Sequence, residues 1–204
     1  MTNNEGIYLS GLPCVTVLIG VYELSSGRPV VGVINQPFWK HDSSGHWTGR
    51  HVWGVTINEL NIVSQYSPLP TTTTIAKPVC VFGSTTKPDI VTAHALQSAG
   101  FNLVFTAGAG YKQLCVIDGL ASIYVCTSSS TYKWDTCGPH AILSASGGGM
   151  VYWEKFKSKV EEGVTYHQQD IDGLSGQKQW QNHGGVLAFR DNDSCMQLAT
   201  MFTQ

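Results

Sequence analysis

Residues 132–151 read YKWDTCGPHAILSASGGGMV. An apolar stretch, ASIYVCTS (121–128), precedes them and reads as a strand. The polar tract SSSTYK (128–133) leads out of it. An apolar run from Asp135 to Gly148 then predicts a helix ended by Gly147 and Gly148, and GMVYW (149–153) predicts a further strand. A single carboxylate, Asp135, stands at the mouth of that helix. It can cap free helical N–H groups, or it can hold a divalent cation while the helix N-terminus faces a phosphate. Pro139 lacks the N–H that the first helical turn after an Asp135 cap would use, so the start of this helix is irregular on either reading. SSSTYK sets hydroxyls and Lys133 next to the acid, either as groups that serve it or as a solvated loop.

The same alternation extends upstream. VCVFGS (79–84) reads as a buried strand. KPDIVTAHALQSAG (87–100) reads as a helix with Asp89 in its first turn and Gly100 as its stop. NLVFTAG (102–108) is a strand, GYKQLCVIDGL (110–120) a helix ended near Gly119, and GGVLAFR (184–190) a last strand beyond a polar insertion at 154–183. Strands alternating with helices predict an α/β layer. Residues 14–57 have another rhythm. Two β-branched runs, 14–24 and 29–36, flank LSSGR. The polar tract KHDSSGHWTGRH (40–51) follows, then VWGVTI (52–57) as a third strand. This is an antiparallel meander apolar on both faces, which needs a covering layer on each side, and the region offers little helix to supply one. The expected division is 1–63 as the remainder of an antiparallel-sheet domain, 64–78 as a linker, and 79–204 as a C-terminal α/β domain.

Bulk properties narrow the function classes. Of 204 residues, 42% are hydrophobic and 13% charged, with a net charge of -2; a sizeable core follows, and neither nucleic acid nor an anionic membrane is an expected partner. No apolar run reaches bilayer length. The six cysteines form no C-x-x-C pair and several sit in apolar runs, which predicts buried thiols and a cytoplasmic protein. AGAGYK (107–112) sets two glycines before a helix, so that a ligand could approach the backbone and Lys112 could meet an anion. DIDGLSG (170–176) lacks the full acid set of a calcium loop, and DNDS (191–194) reads as a turn or helix start. His140 has no partner at ligand spacing and reads as a packed histidine.

CVTVLIGVYELSSGRPVVGVINQPF (14–38), AGAGYK, YKWDTCGPHAILSASGGGMV and WQNHGGVLAFR (180–190) occur in one order. In that order the chain resembles the lithium-sensitive, magnesium-dependent phosphatases related to inositol monophosphatase, from about Gly6 to Arg190. GVINQPF, GAGYK and HAIL…GGG resemble the polyphosphate branch, which removes the 1-phosphate of inositol polyphosphates such as inositol 1,4-bisphosphate in phosphatidylinositol signalling. WDTC-x-P resembles the 3',5'-bisphosphate nucleotidase branch, the alternative substrate class. The resemblance implies a layered αβαβα architecture and Mg2+ as cofactor. It implies Asp135 as a metal-binding catalytic carboxylate. It implies Thr85, Lys87, Gly108, Ala109, Lys112 and Ser130 as contacts to a small inositol phosphate. The family's other metal ligands, a paired-acid glutamate and an Asp-Pro-x-Asp-Ser/Thr segment, would precede the first strand of this chain. The 204 residues are therefore expected to be inactive alone, and a non-catalytic truncated binding protein is the competing expectation.

Overall fold

The computed structural model describes residues 2–4, 6–64, 78–83, 89–159, 162–167 and 173–200. The first sheet is a meander of β1 (Val17–Tyr22), β2 (Pro29–His41), β3 (Trp47–Ile57) and β4 (Leu60–Val63), antiparallel throughout. The second combines β5 (Val79–Phe82), β6 (Asn102–Phe105), β7 (Ile123–Cys126), β8 (Gly149–Tyr152) and β9 (Val186–Phe189) in the order β6-β5-β7-β9-β8. Its β5, β6 and β7 are parallel, and β9 pairs antiparallel with both β7 and β8. The helices are α1 (Ile90–Ser98), α2 (Ala109–Ile117), α3 (Lys133–Ala145), α4 (Trp153–Lys157) and α5 (Asn192–Ala199).

The second sheet is buried on both faces. Val79, Val81, Tyr124 and Val186 turn one face towards α2 and α3, while Cys80, Phe82, Ile123 and Leu187 turn the other towards α1, α4 and α5. That is why β5, β7 and β9 read as unbroken apolar runs, each buried at all four positions. On its far side α3 packs against β1, β2 and β3. The order sheet, helices, sheet, helices gives four of the five layers of an αβαβα sandwich.

A ladder of glycines permits the close seating of α3. Gly20 pairs with Gly32, and Gly32 with Gly54. A Cβ at Gly32 would stand 1.9 Å from the Gly138 carbonyl oxygen, and one at Gly20 would stand 2.6 Å from the Gly138 nitrogen. The opposite face of this sheet has no cover among the described residues. Val17, Ile19, Val21, Ile57, Leu60 and Ile62 all lie on it and are exposed, Ile19 by 58%.

Several boundaries differ from the sequence reading. One face of the meander does have its helix, because α3, distant in sequence, supplies it. The tract 40–51 is mostly strand: β2 runs to His41 and β3 begins at Trp47, joined by a turn in which the Asp42 carboxylate accepts from the N–H groups of Ser44 and His46, each at 2.9 Å. This hairpin end is largely exposed, so no apolar alternation marked it as strand. β4 was not expected; it returns from β3 through Asn58 and Glu59, both in the left-handed region. Asp89 caps α1 from outside, accepting from Thr92 N–H at 3.1 Å, rather than sitting in its first turn. The insertion opens with α4, and Asp191 caps α5. Five of the six thiols, all but Cys195, are buried. The 64–78 linker falls almost wholly outside the described residues, as do the acids of DIDGLSG.

Candidate active site

Asp135 is the third residue of α3, not its cap. Tyr132 holds the cap position, and its backbone N–H donates to the Asp135 carboxylate at 2.9 Å. This is the acidic half of a capping box, and it fixes the carboxylate at the helix mouth with part of its surface open. Burial raises the Asp135 carboxyl above its ordinary pKa, and the Tyr132 N–H partly offsets that. Asn182 ties down the approach to the helix: its Nδ2 donates to the hydroxyls of Thr131, at 3.1 Å, and Thr136, at 3.2 Å.

The AGAGYK turn faces this acid. Gly108 caps α2 with φ +79, a conformation that suits glycine, and a Cβ there would meet the Cys14 carbonyl at 2.6 Å. Among the described residues no side chain caps α2, which leaves its first N–H groups open to an anion. Asp135, Gly108, Ala109, Gly110, Cys14 and Thr16 together line a cavity of about 410 Å³ between the starts of α2 and α3. Lys112 and Ser130 stand outside that lining. The Lys112 ammonium donates to the Gly83 carbonyl at 2.5 Å, at the end of β5, and burial lowers its pKa. Ser130 receives the Ser128 hydroxyl at 3.0 Å and lies 3.4 Å from Cys126 Sγ, at the end of β7. The carboxyl ends of parallel β5 and β7 thus meet the amino ends of α2 and α3, the usual location of a ligand crevice in such sheets. Thr85 and Lys87 lie outside the described residues.

Lys133 departs from expectation. It is buried in the first turn of α3, donating to the Tyr152 hydroxyl at 2.5 Å, and desolvation lowers its pKa to about 8. It is a core residue, not part of a solvated loop. His140 is packed as expected, with Nδ1 3.0 Å from the Tyr166 hydroxyl. Burial, aided by Lys133, pushes its pKa down to about 3. The folded state therefore holds it neutral, whereas the unfolded chain protonates it below about pH 6.5. Its contribution to stability is complete above that pH and is lost as pH falls towards 3. Urea unfolding at pH 7.5 and 5.5 should show a loss of about 1.4 kcal/mol in the native chain that His140→Gln lacks; equal losses in both would refute this.

The described residues fit one corner of a magnesium site rather than a whole one. Asp135 is the one acid on the cavity wall, and among the described residues no group of three or more His, Cys, Asp or Glu could hold a metal ion. Thr16 and Cys14, which line the cavity from the segment just before β1, were not read from sequence as site residues, because nothing local in LPCVT marks them.

The Inositol monophosphatase family pattern matches residues 7–193. The chain belongs to that family. It is 38% identical to inositol polyphosphate 1-phosphatase of Mus musculus, over 94% of this chain and 52% of the mouse protein. It is 32% identical to 3'(2'),5'-bisphosphate nucleotidase 1 of Dictyostelium discoideum, over 83% of this chain and 60% of that protein. An inositol monophosphatase structure from Zymomonas mobilis superposes with a TM-score of 0.60 at 16% identity, over 94% of this chain and 64% of that one, which establishes the shared fold. The family member thus spans about half the length of the curated polyphosphate phosphatases it matches.

Proposed function

We propose that this chain forms one wall of a magnesium-dependent, lithium-sensitive phosphomonoesterase site. The substrate class is inositol polyphosphates such as inositol 1,4-bisphosphate, hydrolysed at the 1-phosphate in cytoplasmic phosphatidylinositol signalling. One observation carries the proposal: the Asp135 carboxylate and the uncapped start of α2 share a single cavity. A carboxylate beside a helix N-terminus suits a phosphate ester bridged by a hard cation, with oxygen ligands from both sides. In this reading Asp135 is one metal ligand, and Gly108 and Ala109 admit the phosphate to the backbone. Lys112 and Ser130, with Thr85 and Lys87, contact the inositol phosphate. Bound magnesium would activate water and stabilise the leaving oxygen. One carboxylate does not hold that array, so no catalytic step is assigned to these residues alone.

The test separates binding from turnover. In the 15N-labelled chain, inositol 1,4-bisphosphate with magnesium should shift the amides of Gly108 to Tyr111 and of Asp135, while phosphate release stays at the level of Asp135→Ala. Magnesium-dependent release that Asp135→Ala abolishes would overturn the expected inactivity. Larger shifts with adenosine 3',5'-bisphosphate would favour the nucleotidase reading, for which Pro139 in the WDTC-x-P segment and the Dictyostelium relative speak. No shifts with either would leave a non-catalytic binding role, consistent with the open apolar sheet face.

A further inference from the structure

Pro139 lies inside α3, where its missing N–H would otherwise close on the carbonyl of Asp135, four residues earlier. That carbonyl has another donor. Gln113, fully buried on α2, donates from Nε2 to the Asp135 carbonyl oxygen at 2.9 Å and to the Ala109 carbonyl oxygen at 3.0 Å. One amide group thus joins the first turn of α3 to the first turn of α2. Among the described residues its Oε1 finds no hydrogen-bond partner. The opposite amide orientation would set that oxygen against two carbonyls, so the donor function fixes the side chain as it stands.

We infer that Gln113 is a positioning residue for Asp135: it replaces the hydrogen bond that Pro139 withholds and sets the distance between the carboxylate and the α2 turn. The assignment rests on the reading of Asp135 as a metal-binding carboxylate, but its geometry can be tested without metal. Two features make the role local. Replacing Gln113 by an apolar residue orphans the Asp135 carbonyl but also removes the buried Oε1, and the relief of that acceptor offsets part of the loss, so the change in global stability should be smaller than the local one. The loss should fall on the first turn of α3, where the Asp135 carboxylate holds the Tyr132 N–H.

Amide hydrogen exchange followed by NMR reads that bond. Gln113→Leu should speed exchange at Tyr132 about tenfold, the effect of losing one buried hydrogen bond, and leave Ile123–Cys126 of β7 as in the native chain. Adding Pro139→Ala restores a helical donor to the Asp135 carbonyl and should return Tyr132 to its native rate. If Gln113→Leu does not fold, Gln113→Met, unbranched and without a donor, makes the same comparison. Unchanged exchange at Tyr132, acceleration shared equally by β7, or no reversal by Pro139→Ala would each overturn the inference. Broadening of the Asp135 signals by Mn2+, added to the native chain, tests the metal reading separately. Its failure would sink that reading and leave the exchange result standing.

Discussion

Replacing Gly32 by alanine is expected to cost about 3 kcal/mol, the upper end of what overpacking a well-filled core does. The reason is contact, not backbone strain. The added Cβ would stand 1.9 Å from the Gly138 carbonyl oxygen and 2.8 Å from its carbon. Neither can yield as a flexible side chain would, because both belong to the backbone of α3. That backbone is seated as tightly against the neighbouring strand of the same sheet, since a Cβ on Gly138 would meet the Ile19 carbonyl oxygen of β1 at 2.6 Å. Relief requires α3 to lift from the meander, and Asp135 rides on its first turn. Gly147→Ala is the control: φ there is +89, yet a Cβ would meet nothing within 4 Å, so only the left-handed strain of about 1 kcal/mol applies. Urea midpoints would decide. Equal losses in the two variants would show that α3 is not seated through Gly32.

The contrast between these glycines shows what the sequence made legible. Gly147 declared itself, because it ended an apolar helical run. Gly20, Gly32 and Gly54 did not; they are 12 and 22 residues apart, and become one ladder only when the register of three strands is known. The same holds for the cover of the meander. Its strands were readable from β-branched runs, but the helix that covers them lies some 80 residues beyond β3 in a segment read as part of another layer. Asp135 was legible as the acid at a helix mouth, and its place at the third position came from Tyr132, whose backbone donor carries no mark in the sequence. The neighbours that complete the cavity wall, Cys14 and Thr16, come from a chain segment 120 residues away. Lys133 misled for a simple reason: charge beside three serines reads as solvent, yet its stem and ammonium lie against Tyr152 and Tyr166.

Arg50→Met should destabilise the protein by about 3–5 kcal/mol near neutral pH, the cost of stranding a buried charge. Arg50 of β3 reaches across to Asp118, the residue that closes α2, and donates from Nη1 to its Oδ1 at 3.2 Å, with a second bond from Nη2 to Oδ2. The Asp118 side chain is only 4% exposed. Arg50 also donates to Gln36 Oε1 at 2.8 Å, and Gln36 to the Pro13 carbonyl at 2.6 Å, so the pair belongs to a strut between the meander and α2. Burial raises the Asp118 carboxyl pKa even with the guanidinium beside it lowering it. Without Arg50 only the smaller opposing effect of Arg190 is left, and the pKa climbs further. The sign of the pH effect follows. A carboxyl whose folded pKa exceeds its unfolded value favours the folded state when protonated, so its penalty grows as pH rises through the folded value and fades as pH falls towards the unfolded one. The deficit of Arg50→Met against the native chain should therefore shrink between pH 8 and pH 5. Asp118→Asn in the Arg50→Met background should recover most of it at pH 8 by removing the stranded charge. A deficit that is constant with pH and untouched by Asp118→Asn would mean that Arg50 acts through its packed stem, not through its charge. The double variant matters most, because it keeps the shape of the strut while removing both charges. Recovery there would show that the ion pair holds the meander against α2 chiefly by neutralising a carboxylate that the closing turn of α2 had to bury.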